Sequence, residues 1–267
     1  MKVDEKIQFK SANDINIQKG NSRVKKEYIY ILATYVLMLF SNIIGYPLVY
    51  RIGVKVFHEP AASMKTLTPP LWTVISFLVG LAIVLHFLRK ALQKEKSRVE
   101  AMPAGASAVW AVFGVFLTFF AQAAGVTVES LFGVSQTSDN TKQILTLIER
   151  FPLVILISSI AGPIMEEIVF RKIIFGSLRK RFSFIISGVI SSVIFGLAHT
   201  EPSHLFLYSL LGLTLAFLYE KTKRITVPMF AHVTMNTIVV VLQFMQPSIQ
   251  QSLQFHEVNS IIGGFIL

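Results

Sequence analysis

Residues 152–178 read PLVILISSIAGPIMEEIVFRKIIFGSL, an apolar run with two adjacent glutamates, Glu166 and Glu167, near its middle. A run of this length can cross the hydrocarbon core of a bilayer as a helix. Insertion scales put the cost of a charged side chain at bilayer depth at about 2.5–3.5 kcal/mol. Carboxylates at bilayer depth indicate a functional site, so this stretch predicts a membrane helix that carries functional residues.

Similar apolar runs flank this one on both sides, at 28–50, 70–88, 104–126, 184–200, 203–220 and 225–243. The composition agrees, because 53% of the residues are hydrophobic and only 15% are charged, against about 25% charged in soluble domains. The sequence therefore predicts an all-α, polytopic membrane bundle of about seven transmembrane helices. An eighth is expected if the short apolar stretch from Ile261 to Leu267 belongs to a further segment.

Polar interruptions divide the chain into five predicted segments. These are a cytoplasmic polar tail at 1–26, three scaffold helices at 27–126, an external loop at 127–150, the catalytic helices at 151–243 and a C-terminal tail at 244–267. With 127–150 assigned to a loop, Glu166 and Glu167 are the only carboxylates expected at membrane depth.

Basic residues set the expected orientation. Alternate connections between the apolar runs carry 20 Lys and Arg on one side and 5 on the other, and the richer side includes the N-terminal tail. Positive loops stay on the cytoplasmic side, so the N-terminus is expected there. Because the basic residues fall in short clusters between apolar runs, the net charge of +10 does not indicate a nucleic-acid partner. The absence of cysteine excludes a cysteine nucleophile and thiolate metal sites.

The two glutamates are not equivalent on a helix. At about 100° per residue, Arg171 lies about 40° around the helix from Glu167 but about 140° from Glu166. Glu167 can therefore pair with Arg171 in the favourable i,i+4 order. Glu166 has no local cation and is the candidate general base. A buried Glu–Arg pair without chemistry is the alternative interpretation of these residues.

Two later motifs add polar side chains to apolar runs. Phe195 and His199 end the run at 184–200, and His232 and Asn236 share a helix face at i,i+4. Alone, the histidine suits an interfacial position, and the pair suits a contact between helices. Together with Glu166 they provide what hydrolysis needs, namely a base for water, electrophilic help at the carbonyl and an acid for the leaving amine.

Chain length also predicts that these groups meet. Glu166 lies about as far before the turn at Arg181–Ser183 as His199 lies after it, so an antiparallel hairpin brings them to one level. We expect Glu166, His199, His232 and Asn236 to line one polar cavity among the helices at 152–178, 184–200 and 225–243.

In this order, Glu-Glu-x-x-x-Arg, Phe-x-x-x-His and His-x-x-x-Asn resemble the CPBP family (CAAX protease and bacteriocin-processing, or Abi), in its bacterial branch. The resemblance covers roughly residues 145–243. It implies an intramembrane endopeptidase of the bacterial cell membrane that cleaves a membrane-associated or lipidated peptide or protein. It also implies a role for each motif residue: Glu166 as catalytic base, Glu167 and Arg171 as its supporting pair, His199 as catalytic or ligand histidine, and His232 and Asn236 as oxyanion or ligand residues.

Several alternatives remain open at this level. Glu166, His199 and His232 could hold a divalent metal such as Zn²⁺ and leave a position for water. A His-Glu-x-x-His motif is absent, and the same groups could instead activate water without a metal, with Glu166 as the base, which is the preferred interpretation. A proton-coupled transporter and a non-catalytic membrane scaffold are the rival functions. His204, which follows Pro202 at a helix start, is interpreted as structural.

Overall fold

The computed structural model describes residues 25–94, 100–135 and 138–253, with side chains as far as Phe244. Within these ranges it contains helices and no strand. The predicted tail before residue 25 and the stretch from Ile261 to Leu267 lie outside the described residues. The first five helices are α1 (Lys26–Phe40), α2 (Asn42–Lys55), α3 (Ala61–Gln93), α4 (Ala104–Leu131) and α5 (Asp139–Arg150). The helical run α6 covers 154–178, followed by α7 (Phe184–Ala198), α8 (Leu205–Thr222) and α9 (Thr226–Leu253).

Four stretches in the described residues are long and apolar enough to span a membrane: Ala61–Gln93, Ala104–Leu131, Pro202–Thr222 and Thr226–Phe244. The pair α1 and α2 passes the same test as one span bent by 54°. The outer face of α4 exposes large apolar side chains, among them Phe116 and Phe120, as a lipid-facing helix should. The prediction of an all-α membrane bundle is thus confirmed, with four or five candidate spans instead of seven.

Helix α7 and the run α6 account for much of the difference between the seven predicted spans and the four or five candidate spans. The 15 residues of α7 extend over about 22 Å, less than the thickness of the hydrocarbon core. The run α6 alternates α segments (Val154–Leu156, Gly162–Glu166 and Gly176–Leu178) with π segments (Ile157–Ala161 and Glu167–Phe175). Glu166 and Glu167 lie where an α segment gives way to a π segment, and π turns are frequent at functional sites.

Side chains from neighbouring helices bond to carbonyl groups of both π segments. Ser191 of α7 donates to the Phe170 carbonyl over 2.9 Å, and Asn236 of α9 donates to the Ser158 carbonyl over 3.4 Å. Insertions into the helical hydrogen-bond ladder commonly accompany such irregular turns. The irregular backbone of α6 is therefore tied to the two helices that carry the other candidate site residues.

Two predicted boundaries need correction. Helix α4 continues through Leu131, and residues 139–150 form α5, so the segment predicted as an external loop is largely helical. Ser138 caps α5 by accepting a hydrogen bond from the Thr141 amide, and Ile148 is buried against the bundle. The polar outer face of α5 concealed this helix from a search for long apolar runs. Helix α9 likewise extends past residue 243 into the predicted C-terminal tail.

Packing places α6 in the interior. Met165, Ile168 and Phe170 of α6 join a buried apolar cluster with side chains of α1, α3 and α7. Close approach of α7 and α8 depends on small residues, since a Cβ atom on Gly196 would lie 3.1 Å from the Leu205 carbonyl oxygen. This contact brings the end of α7, with His199, over the first turn of α8.

Candidate active site

Glu167 is completely buried and held from two sides. Its Oε2 lies 3.2 Å from Arg171 Nε, and its Oε1 accepts a hydrogen bond from His232 Nδ1 over 2.9 Å. The Arg171 guanidinium is also fully buried and lies 4.4 Å from the centre of the Phe195 ring. A buried charge needs such a partner, because an isolated one would be strongly destabilising. Glu167 is therefore an anchor for both an arginine and a histidine.

Glu166 has a different environment. Its side chain is 20% exposed, whereas that of Glu167 is inaccessible. Its Oε2 lies 3.8 Å from His232 Nε2, which is beyond direct hydrogen-bond distance. Glu166 therefore presents a carboxylate oxygen that solvent can reach and that adjoins an imidazole nitrogen.

His232 lies between the two glutamates. Since the Glu167 carboxylate can only accept, Nδ1 of His232 carries the proton of their hydrogen bond. The second nitrogen, Nε2, faces Glu166. This arrangement fixes the tautomer and leaves one ring nitrogen for proton transfer, as in carboxylate–histidine pairs of hydrolases.

His199 adjoins this group from the end of α7. Its Nδ1 donates to the Phe195 carbonyl over 2.9 Å, so Nε2 is the ring atom left for water or substrate. Glu166 and His232 both lie near enough to interact with His199 electrostatically. The Phe195 ring contacts both histidines, with centroids 4.6 Å from His199 and 6.0 Å from His232. Phe195 thus contacts the buried guanidinium and both imidazoles.

Tyr35 of α1 also approaches the site, although the sequence assigned its helix to the scaffold. The ring packs edge-on against Phe170, with centroids 5.8 Å apart. It lies close enough to Glu166 and Arg171 to interact electrostatically with both. Nothing in the local sequence of α1 distinguishes this tyrosine from the neighbouring apolar residues.

A cavity of about 140 Å³ lies beside the histidines. It differs from the expected cavity, because α6 contributes only Ser158 and Glu166 is not among the described lining residues. Helices α5 and α8 form much of the wall, and α4 adds Gln122. The polar residues that line it are Gln122, Ser138, Asn140, Thr141, Ser158, His199, His204, Tyr208, His232, Asn236 and Gln243.

A second group of titratable residues was not found from the sequence. Glu129, placed in an external loop by the prediction, lies in the last turn of α4 and is 5% exposed. Its Oε2 is 2.7 Å from His204 Nδ1, and its Oε1 accepts from the Leu207 amide over 2.8 Å. Glu166 and Glu167 are therefore not the only buried carboxylates. The apolar neighbours Val126 and Val128 were the one local signal that α4 continues.

Metal binding by Glu166, His199 and His232 stays a prediction. Among the residues that the structure describes, no group of three or more His, Asp or Glu side chains is arranged to hold an ion. Nδ1 of His232 is engaged by Glu167, and Nδ1 of His199 by a backbone carbonyl, so each ring keeps Nε2 as its one available nitrogen. We assign no step to a metal.

Comparison with known proteins gives the family. Residues 148–238 match the model of the type II CAAX prenyl endopeptidase Rce1-like family. The chain is 42% identical over 245 residues to YdiL of Bacillus subtilis (strain 168), which is named as a candidate membrane peptidase, with 91% of this chain and all of that protein covered. The chain belongs to the CPBP family. It is also 34% identical over 145 residues to the membrane-embedded CAAX protease MroQ of Staphylococcus aureus (strain USA300), covering 52% of this chain and 59% of MroQ. No solved structure matches it.

The CPBP match confirms the resemblance seen in the motifs. The matched residues 148–238 include α6, α7, α8 and the first half of α9, with all six candidate site residues. The alignment with YdiL shows that similarity extends well beyond this region, because it covers 245 residues. The chain is thus an integral membrane protein of a family of CAAX-type proteases.

Proposed function

We propose that this protein is an intramembrane endopeptidase in which Glu166 activates water to hydrolyse a peptide bond. The observation that carries the proposal is the contrast between two adjacent carboxylates. Glu167 is inaccessible and bound to Arg171 and His232, whereas Glu166 keeps solvent access and faces a histidine nitrogen. A general base needs access to water and a place to send the proton, and Glu166 has both.

In the first step a Glu166 carboxylate oxygen takes a proton from water, and the hydroxide oxygen bonds to the carbonyl carbon of the substrate. The carbonyl π bond breaks, and its electron pair becomes an oxyanion. Asn236 lines the cavity and uses one amide N–H for the Ser158 carbonyl, so its second N–H is suited to stabilise that oxyanion. His199 Nε2 orients the water by accepting its other hydrogen.

In the second step the proton moves from Glu166 to His232 Nε2 and then to the leaving nitrogen. The C–N bond breaks, and the products are a carboxylic acid and an amine. The Glu167 carboxylate stabilises the imidazolium through the Nδ1 hydrogen bond. Arg171 pairs with Glu167 and holds it in place, so this pair acts through His232 and does not touch the substrate.

The proposed substrate is a membrane-associated or lipidated peptide or protein in a bacterial cell membrane. The family match and the name of the MroQ relative support this class. The cavity lining supports it too, because apolar side chains such as Leu211, Met235 and Val239 alternate with amides and hydroxyls, and no Lys, Arg, Asp or Glu is among the described lining residues. Such a surface suits an uncharged peptide segment.

We further propose that the chain crosses the membrane seven times with its N-terminus in the cytoplasm. This adds α6 and α7 to the five candidate spans, and the asymmetry of Lys and Arg supports the orientation. Alkaline-phosphatase fusions test it. A fusion at residue 95 should be inactive and one at residue 138 active; the reverse pattern would refute the orientation.

The test of catalysis compares wild type with Glu166→Gln in a strain that lacks the protein. We expect peptide products of a membrane protein to disappear with Glu166→Gln while its abundance stays normal, because removal of a base costs a factor of about 10² to 10⁴ in rate. Quantitative peptidomics with isotope-labelled membranes measures this.

Glu149→Gln is the matched control, because Glu149 lies on the exposed face of α5. It should leave both products and abundance unchanged. Normal product formation by Glu166→Gln would exclude Glu166 as base, and a phenotype without any change in cleaved peptides would favour a scaffold or transporter.

A further inference from the structure

The cavity beside His232 and Asn236 is too small for a peptide. Its volume is about 140 Å³, whereas pockets that hold small ligands occupy roughly 300–1,000 Å³. If the proposed function is right, a substrate residue must reach these side chains. At least one wall therefore has to move.

The walls differ in how they are fixed. Those formed by α8 and α9 belong to a buried apolar cluster that includes Leu211, Leu215 and Met235. Helix α5 contributes Asn140, Thr141, Ile144 and Leu145 to the cavity. Within α5 only Ile148 is buried, and it lies near the C-terminal end. Ile144 and Leu147 are partly buried against the same apolar cluster as Ile148. The first turn of α5, before Ile144, has no side chain in that cluster and is held by polar contacts.

Glu201 provides that hold from the connection between α7 and α8. Its Oε1 accepts a hydrogen bond from the backbone amide of Asp139 over 2.7 Å, and its Oε2 accepts from the Ser138 hydroxyl over 2.8 Å. The side chain of Glu201 is 11% exposed. A carboxylate at the first turn of a helix satisfies unpaired amides and suits the helix dipole. Glu201 thus provides two hydrogen bonds to the start of α5, and the Tyr208 hydroxyl lies 3.5 Å from Ser138 Oγ beside them.

The same carboxylate holds a ring against His199. Oε2 of Glu201 also accepts from the Tyr208 hydroxyl over 2.9 Å. The Tyr208 ring stacks on the His199 imidazole, with centroids 4.0 Å apart and 23° between the planes. A shift of Glu201 would therefore change both the cavity wall and the surroundings of His199.

We propose that Glu201 and Tyr208 are positioning residues for the reaction. Glu201 latches the N-terminal end of α5 over the cavity and holds Tyr208 against His199, so one carboxylate couples substrate admission to the orientation of a reacting histidine. The inference deepens the proposed function and rests on it.

The absence of cysteine allows a direct test of the latch. In Met235→Cys, a single thiol lies beside Asn236 in the cavity. The protein in vesicles is treated with a small neutral maleimide. We expect Glu201→Gln to raise the labelling rate at least tenfold, whereas Glu149→Gln leaves the rate unchanged. Equal rates for these two variants would overturn the latch. Ser138→Ala, which removes one of the hydrogen bonds to α5, replaces Glu201→Gln if that variant does not fold, and no rise with Ser138→Ala would then overturn it.

Kinetics on the substrate identified by peptidomics test the coupling to His199. Tyr208→Phe keeps the ring but loses the hydrogen bond, and should lower kcat several-fold with little change in KM. Added to Glu201→Gln, it should cause a total loss smaller than the sum of the two single losses, because both substitutions act on the contact between Tyr208 and Glu201. Additive losses would overturn the positioning role. Labelling needs no turnover, so the latch can fail or hold independently of the result for Glu166→Gln.

Discussion

Two histidines in this molecule are each held between two carboxylates. His232 donates from Nδ1 to Glu167 over 2.9 Å and has its Nε2 3.8 Å from Glu166. His204 has its Nδ1 2.7 Å from Glu129 and its Nε2 3.9 Å from Glu201. The residue types and the distances are nearly the same in both groups.

The groups differ in what else their carboxylates bind. Glu129 also accepts from a backbone amide, and Glu201 accepts three hydrogen bonds that fasten α5 and Tyr208. Glu166 accepts none within the described part of the chain and is 20% exposed. A carboxylate whose lone pairs are already used cannot easily take a proton from water. An unused, accessible carboxylate oxygen therefore distinguishes the reactive group from the structural one.

The largest expected effect separates the two histidines. His232→Gln should lower turnover by a factor of about 10² to 10⁴, because it removes the carrier between Glu166 and the leaving nitrogen. His204→Gln should keep turnover per folded molecule within about threefold, since His204 carries no proton in the reaction. Turnover normalised to folded protein measures both. Similar losses of turnover in the two variants would show that His232 and His204 do not differ in role.

Loss of the buried anchor should have the largest effect on stability. Glu167→Gln leaves Arg171 without its partner inside the bundle, and breaking a buried ion pair costs about 3–5 kcal/mol. We expect low abundance and a reduced unfolding temperature in detergent. The double variant Glu167→Gln/Arg171→Met should recover part of this loss, because it also removes the stranded charge. A double variant less stable than the single one would show that the unpaired charge of Arg171 does not cause the loss of stability.

Glu129→Gln should have a smaller effect that is confined to stability. It weakens hydrogen bonds to His204 and to the Leu207 amide, and hydrogen bonds to a charged group contribute about 1.5–3 kcal/mol each. The free energy of unfolding should fall while kcat of the folded protein is unchanged. A large fall in kcat at normal stability would instead place the second group in the chemistry.

The smallest effect concerns pH and the Glu201 latch. Burial raises the pKa of Glu201, but hydrogen bonds from Ser138, Tyr208 and the Asp139 amide more than offset it and leave the pKa below its ordinary 4.5. The contribution of the latch is therefore complete above that ordinary value and is lost as pH falls through the lowered pKa. The His204 imidazole also faces this carboxylate, with its Nε2 3.9 Å from Glu201 Oε1. A spin label at Thr146→Cys on α5 should keep the same mobility between about pH 5 and 8. Increased mobility within that range would show that Glu201 does not hold α5 as described.

The all-α membrane class, the family and the six candidate site residues could be predicted from the sequence. Apolar length indicates membrane helices, and i,i+4 spacing brings Glu167 to Arg171 and His232 to Asn236 on shared faces. These are local relations, which hold wherever a helix forms.

The walls of the cavity and the contacts that hold them follow only from the packing of the helices. Glu129 meets His204 across 75 positions of the chain, and Glu201 meets Ser138 across 63. The amphipathic helix α5 and the π segments of α6 also depend on neighbours, since Ser158 and Phe170 offer their carbonyls to other helices. The spacing of apolar and polar residues along the sequence does not predict such contacts, because they depend on which helices lie side by side. The packing of the whole bundle fixes that arrangement.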